Sequence, residues 1–255
     1  MSVAPGVTPR PRAVRVLITC EHGGHQVPDE YRAWFAGAGE VLASHRGWDA
    51  GALALAGVLG GALGAPVRSA TVTRLLVDLN RSPHNPRVFS EFTRGAPPEE
   101  KARVLAEWHA PYREGVDAAV AERVTSGRTV LHLGIHSFAP SWNGAPRRPD
   151  VALLYDPARP SERTLCARWA EALKAALPGY RVHRNDPYRG AADGLTTWLR
   201  RRHPQDRYLG IEVEVNQRHL DASGRFPEAV ARALGEGLGE ALGALGWPAP
   251  RLAPY

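Results

Sequence analysis

The chain carries two cysteines, Cys20 and Cys166, in 255 residues. So few thiols exclude a disulfide scaffold and agree with a reducing compartment; without CxxC spacing they are also too few to hold zinc by sulfur. Lysine is as scarce: among 32 basic residues only Lys101 and Lys174 are lysines. The net charge of +6 is therefore an arginine charge, and the arginines are dispersed rather than gathered into a run with interleaved aromatics. That distribution argues against nucleic acid as a partner and leaves single arginines free to bind an anionic substrate. No apolar run approaches the roughly 18 residues of a membrane span, so no membrane partner is expected. Three motifs are missing as well: a GxSxG elbow, a phosphate loop and a GxGxxG turn. Neither a serine nor a cysteine nucleophile stands out, and nothing cradles a nucleotide phosphate.

What remains is ordinary globular composition, 44% hydrophobic and 23% charged. The length suits one α/β domain. The opening MSVAPGVTPRPRAVRV is rich in Pro and Arg and lacks the apolar middle of a secretory signal. Residues 1–13 are expected to be a disordered lead-in, 14–255 a single α/β hydrolase-type catalytic domain, and the protein cytoplasmic.

Val14–Cys20 (VRVLITC) reads as a strand that breaks into EHGGHQVP, where Gly23 and Gly24 permit a tight turn. Loops after the carboxyl ends of strands are where open α/β sheets place their sites, which brings Glu21, His22 and His25 into view. A helix is expected near Asp29–Phe35. A second opens at about Asp49, with Leu53, Leu55, Val58, Leu59 and Leu63 as its apolar stripe. Asp49 is either the cap of that helix or a carboxylate facing the His22 loop. Val67–Leu79 holds two β-prone pieces and delivers Arg74, Asp78, Asn80 and Arg81 toward its end. Pro97–Val124 is helical by pattern, and its Leu105, Trp108, Tyr112, Val116 and Val120 are assigned to packing.

Val130–Ala139 (VLHLGIHSFA) is a strand that ends in His136 and Ser137, followed by a Gly-, Pro- and Trp-rich loop suited to a flap. A strand over Val151–Tyr155 precedes a helix from Ser161, its expected cap, to about Leu177. A strand at Tyr180–Arg184 runs into a loop carrying Arg189 beside Gly190, then a helix. The last strand, Tyr208–Val215, alternates Ile211, Val213 and Val215 against Glu212 and Glu214. A helix over Pro227–Leu245 closes the chain. Strands alternating with helices predict a three-layer α/β/α sandwich with a mixed central sheet.

The polar residues at loops and strand ends are thus His22, His25, Asp49, Arg74, Asn80, Arg81, His136, Arg189 and Glu214. Nitrogen and carboxylate ligands, a spare carboxylate and several arginines are the parts of a catalytic metal site with an open water position.

Five fragments, CEHGG, HRGWDAGA, TRLLVDLNRS, LGIHSF and IEVEVNQ, occur in an order that resembles the N-formylglutamate amidohydrolase family over Val14–Gln217. That family is similar in fold to zinc carboxypeptidases and aspartoacylases, within the phosphorylase/hydrolase-like class. The resemblance implies Zn2+, or another divalent metal in its place, held by His22, His136 and a third ligand. In carboxypeptidases and aspartoacylases the third ligand is a Glu three residues after the first His; here that position is His25. The formylglutamate family has an Asp in a WD element, matched by Asp49, so Asp49 is the expected third ligand and His25 its alternative.

The resemblance further implies that Glu214 is the general base and that Arg74 faces the oxyanion. Asn80 and Arg81 would grip the substrate carboxylate; Arg189, from its place beside Gly190 on adaptable backbone, is either a further substrate contact or a surface arginine. Glu21, Asp78 and Glu212 would support these groups from behind; Glu21 stands where formylglutamate hydrolases commonly carry Pro. The implied reaction is zinc-dependent hydrolysis of the N-acyl, formyl-like amide of an amino acid or similar small carboxylate. The alternatives are a peptidase or cell-wall amidase on the same scaffold, or a non-catalytic anion-binding homologue. The oligomeric state stays open.

Overall fold

The computed structural model describes residues 14–248 and 253, so the expected lead-in over 1–13 lies outside the described residues. Strands β1 (Val14–Cys20), β2 (Val67–Ser69), β3 (Thr129–Phe138), β6 (Val151–Leu154), β7 (Val182–Arg184) and β8 (Tyr208–Asn216) form one sheet. Its order is β2-β1-β3-β8-β6-β7. The first four of these run parallel. β6 is antiparallel to β8 and parallel to β7, which makes the sheet mixed. Strands β4 (Ser141–Trp142) and β5 (Ala145–Pro146) form a separate antiparallel hairpin where the flap loop is expected.

Helices α2 (Ala52–Leu63), α5 (Pro160–Ala176) and α7 (Glu228–Ala244) bury one face of the sheet, against Leu131, Leu133, Ile135, Ile211 and Val213. Helices α4 (Ala110–Thr125) and α6 (Leu195–Arg202) cover the other, against Leu17, Val130 and Tyr208. The expected α/β/α sandwich is the architecture observed. Short helices α1 (Gly39–Ala43) and α3 (Pro98–Val104) border a satellite core around Leu75, Leu76, Val77, Leu79 and Val104.

Side chains alternate across a strand, and here the alternation sorts chemistry from core. On the face that α4 and α6 cover, Val130, His132, Gly134 and His136 of β3 lie opposite Tyr208, Gly210, Glu212 and Glu214 of β8. Leu17 and Thr19 of β1 pair with His132 and Gly134 of β3. Period two thus brings the imidazole and both glutamates to one face, near the carboxyl ends of three parallel strands.

Several elements differ from the sequence pattern. Asp29–Phe35 is a 3-10 helix. Of Val67–Leu79 only Val67–Ser69 is strand, so Arg74 and Asp78 ride on irregular chain. Helix α2 starts at Ala52, because Gly51 takes a left-handed φ of 78° to turn the chain after Asp49. Asp49 therefore caps no helix, and the stripe that α2 buries is Ala52, Leu55, Ala56, Leu59 and Leu63, with Val58 exposed. Ser161 lies inside the first turn of α5, which opens on Pro160, whose missing N–H is one the first turn leaves unbonded in any case. A π-helical turn, Leu105–His109, separates α3 from α4.

Candidate active site

The residues around His22 are brought together by backbone bonds before any side chain acts. The Gly23 and Gln26 N–H groups donate to the Ala70 and Thr71 carbonyls, seating the loop after β1 against the chain after β2. A Cβ at Gly24 would lie 2.7 Å from the Thr71 oxygen, so glycine is required there by close approach. The Asp49 N–H donates to the His22 carbonyl at 2.9 Å, and the Arg74 N–H to the Gly47 carbonyl at 3.2 Å. The Ser137 hydroxyl donates to the Ala50 carbonyl at 2.7 Å and ties the end of β3 to the same segment.

His22, Asp49 and His136, all buried, then offer ligand atoms within 4.8 Å of one another. The carboxylate of Asp49 stands between the rings: its Oδ2 accepts from His136 Nδ1 at 2.9 Å and from His22 Nδ1 at 3.4 Å. Each ring turns its other nitrogen to a second carboxylate. His22 Nε2 donates to Asp78 Oδ1 at 2.8 Å, and His136 Nε2 lies 3.0 Å from Glu21 Oε2. Arg74 spans both aspartates, Nη1 to Asp49 at 3.2 Å and Nη2 to Asp78 at 2.8 Å.

Charge compensation dominates the electrostatics of this cluster. Burial pulls the His136 imidazole down, but the hydrogen bond to Asp49 and the charges of Glu21 and Asp49 outweigh it and hold its pKa well above the ordinary value. Burial likewise opposes ionisation of Asp49 and Asp78, yet His22 and Arg74 keep both well below the usual carboxylate range. Against the same opposition, His136 and Thr19 bring Glu21 to about 2.

Glu214 behaves in the opposite way. Burial lifts its carboxyl, the charge of His136 resists, and Asp49 and Glu212 add to the lift, which reaches about 8. Its Oε2 is buried and has no hydrogen-bond partner. A carboxyl held without a partner beside ionised neighbours is a candidate acid or base.

Asp78, Asn80 and Arg81 form a turn. The Asn80 N–H donates to Asp78 Oδ1, and Asn80 Oδ1 accepts from the Leu195 N–H at the start of α6. Arg81 Nη1 donates to the Asp193 carbonyl at 2.8 Å. Glu212 accepts from the Thr196 hydroxyl at 3.1 Å. His25 is exposed, its ring 5.1 Å from that of Trp48, outside the three-residue cluster. Arg189 is exposed as well, next to Tyr188, whose phenol feels the charges of Glu214, Arg147 and Arg74.

Four side chains of the site have no sequence signal of their own. Tyr112 sits in the helical stripe read as packing, yet its hydroxyl donates to Glu21 Oε1 at 3.0 Å. Buried Arg113 donates to the carbonyls of Leu79, Asn80 and Arg81, and His109 Nε2 to that of Arg81, clamping the turn from behind. Tyr188 accepts from Arg147, whose guanidinium also lies over the rings of Phe138 and Trp142.

The sequence profile of the N-formylglutamate amidohydrolase family matches residues 14–220. The chain belongs to this family. Membership makes it a hydrolase of amide bonds. Among solved structures, the gene product Atu2144 from Agrobacterium tumefaciens is 30% identical with a TM-score of 0.74, over 90% of this chain and 91% of that one. The N-formylglutamate amidohydrolase from Ralstonia eutropha JMP134 is 18% identical with a TM-score of 0.62, over 92% and 94% of the two chains. No curated protein matches the chain. The family's profile covers every segment that contributes to the His22, Asp49 and His136 cluster, along with Glu214.

Proposed function

We propose that the protein is a zinc-dependent amidohydrolase that removes a formyl-like acyl group from the nitrogen of an amino acid or similar small carboxylate. The observation that carries this reading is Glu214, a buried carboxyl with a free oxygen, whose position opposite His136 in the sheet sets it beside a cluster of two imidazoles and one carboxylate. That donor set suits zinc and leaves a coordination position open. His22 and His136 would offer Nδ1, because each turns Nε2 to a carboxylate, and Asp49 would offer Oδ2. A divalent cation held there supplies positive charge that polarises an amide carbonyl and acidifies water.

Glu214 takes the proton of the attacking water and delivers it to the leaving nitrogen. A group lifted toward neutrality suits both transfers better than an ordinary carboxylate. Arg74, fixed by Asp49 and Asp78, turns its remaining N–H donors to the oxyanion, where charge appears only as the reaction proceeds. Asn80 and Arg81 bind the substrate carboxylate from the turn that Arg113 clamps, a guanidinium fork being matched to two carboxylate oxygens. Arg189 assists from the facing loop.

The test is a screen of N-formyl and N-acetyl amino acids with zinc-loaded protein, alongside Glu214→Gln. We expect one zinc per chain and a fall in kcat on the order of 10²–10⁴ in the variant, with KM little changed. Absence of stoichiometric metal, or a variant as active as the parent, overturns the proposal.

A further inference from the structure

Two carboxylates outside the ligand cluster face its imidazoles, and the second has no part in the reaction as set out above. Asp78 orients Arg74 and the Asn80 turn as well as His22. Glu21 touches neither. It is 2% exposed, on the first residue past β1, and its Oε2 lies 3.0 Å from His136 Nε2. The oxygen stands off the line of the ring N–H, so the attraction is that of a charge at short range more than of a directional hydrogen bond.

Burying a carboxylate is costly unless its oxygens are paired. Glu21 is held from two sides. The Tyr112 hydroxyl, which also reaches the Arg68 carbonyl at 3.1 Å, lies 3.0 Å from Oε1. On the other side runs a file of buried groups, Tyr208 hydroxyl to His132 Nδ1 at 2.7 Å and His132 Nε2 to Thr19 Oγ1 at 2.7 Å, and Thr19 helps to lower the pKa of the Glu21 carboxyl. With the Tyr208 hydroxyl donating to Nδ1, His132 carries its proton on Nε2 and donates a hydrogen bond from there to Thr19 Oγ1. The Thr19 hydroxyl hydrogen is then free to point at the carboxylate. In that arrangement the donors of the file point toward Glu21, whose other oxygen faces the His136 ring.

We infer that Glu21 is a positioning residue for His136: its buried negative charge keeps the ring proton on Nε2, frees Nδ1 for the cation, and strengthens that ring as a ligand. The inference rests on the reading of His22, Asp49 and His136 as metal ligands. An outer carboxylate behind a ligating imidazole fixes its tautomer and raises its basicity. Here the device is doubled, with Asp78 behind one ring and Glu21 behind the other.

The experiment measures zinc affinity by chelator competition on the full chain. Glu21→Gln keeps the shape and a hydrogen-bond acceptor for Tyr112 but removes the charge. We expect its zinc affinity to fall by about 10–100-fold and the visible absorption of the cobalt-loaded protein to shift, both read at a temperature where the metal-free variant is folded, since removing the charge that faces buried His136 also lowers its thermal stability. Tyr112→Phe, which keeps the charge and removes one donor, should lose less, about 10-fold or under. Should Glu21→Gln fail to fold, Tyr112→Phe and Thr19→Val decide the matter, and unchanged zinc affinity in both overturns the inference. Parent protein that binds one zinc no more tightly than a folded Glu21→Gln variant overturns this inference alone. Parent protein that binds no zinc removes the metal reading, and this inference with it.

Discussion

Burial, with Asp49 and Glu212 adding to it, lifts the Glu214 carboxyl from 4.5 to about 8 against the pull of His136 and Arg74. The folded metal-free protein therefore keeps a proton on Glu214 that the unfolded chain gives up at ordinary carboxylate pH. Between those two values the folded state binds more protons, so this residue makes stability fall as pH rises from 4.5 to about 8. A shift of this size corresponds to roughly 2–5 kcal/mol by pH 8. Glu214→Gln, neutral at every pH, removes the penalty. We expect the metal-free variant to melt on the order of 5–10 °C above the parent at pH 8 and close to it at pH 5. Equal Tm values at pH 8 would mean that Glu214 does not hold its proton in the folded protein. A buried group that destabilises the fold is expected where a site is kept for function.

At the scale of elements, the pleat of β1, β3 and β8 explains why the polar residues meet. His136 and Glu214 are register partners, as are Gly134 and Glu212, and the same face carries Thr19 and His132. The alternation of Glu212 and Glu214 against Ile211, Val213 and Val215 was legible in the sequence because period two survives in a strand covered on both sides. The contribution of α4 was not. Its turns carry Tyr112 and Arg113 among Val116, Ala119 and Val120, and an apolar stripe at helical spacing does not reveal that one hydroxyl and one guanidinium reach into the site. Nor was the chain after β2 legible: β-prone residues from Val72 to Val77 bury themselves in the satellite core without pairing as strand.

The loop after β1 depends on close backbone approach. At Gly24 a Cβ would meet Thr71 oxygen at 2.7 Å and Thr71 Cα and Cβ at 2.9 Å, so backbone must move to admit it. Gly24→Ala is expected to destabilise the protein by about 2 kcal/mol or more and to weaken zinc binding, since the shift carries His22 with it. A variant as stable as the parent in urea would show that the loop and the chain after β2 are less tightly joined than they stand here.

For the whole molecule, the arginines are less available than their number suggests, although the net charge stays at +6. Arg74 is spent on Asp49 and Asp78, Arg200 on Glu162, Arg113 on backbone carbonyls, Arg181 on Asp150 and Arg202 on Asp117. An arginine held by a carboxylate or a carbonyl has fewer donors left for a phosphate backbone. Filter binding to duplex DNA and to RNA should therefore show only weak retention at 150 mM salt, and tight retention with a steep salt dependence would contradict this reading. No helix among the described residues is long and apolar enough to cross a membrane.

Sequence by itself determined the class of fold and the kinds of donor at its strand ends. Both follow from local rules: apolar alternation sets strands and faces, and strand ends are where His22 and His136 emerge from regular structure. Which third residue stands beside the two imidazoles was left open by local pattern; the family resemblance favoured Asp49, and the tertiary structure groups Asp49 with them. His25 lies three residues after His22 and Asp49 twenty-seven, and the periodicity of the chain does not say which of them returns to the rings. The backbone bond from Asp49 to the His22 carbonyl and the left-handed turn at Gly51 set Asp49 between the rings, while His25 is turned outward onto Trp48. The same holds for Glu21. Its neighbours in the chain say only that it follows a strand, and its relation to His136, Tyr112 and Thr19 exists because β1, β3 and α4 pack together.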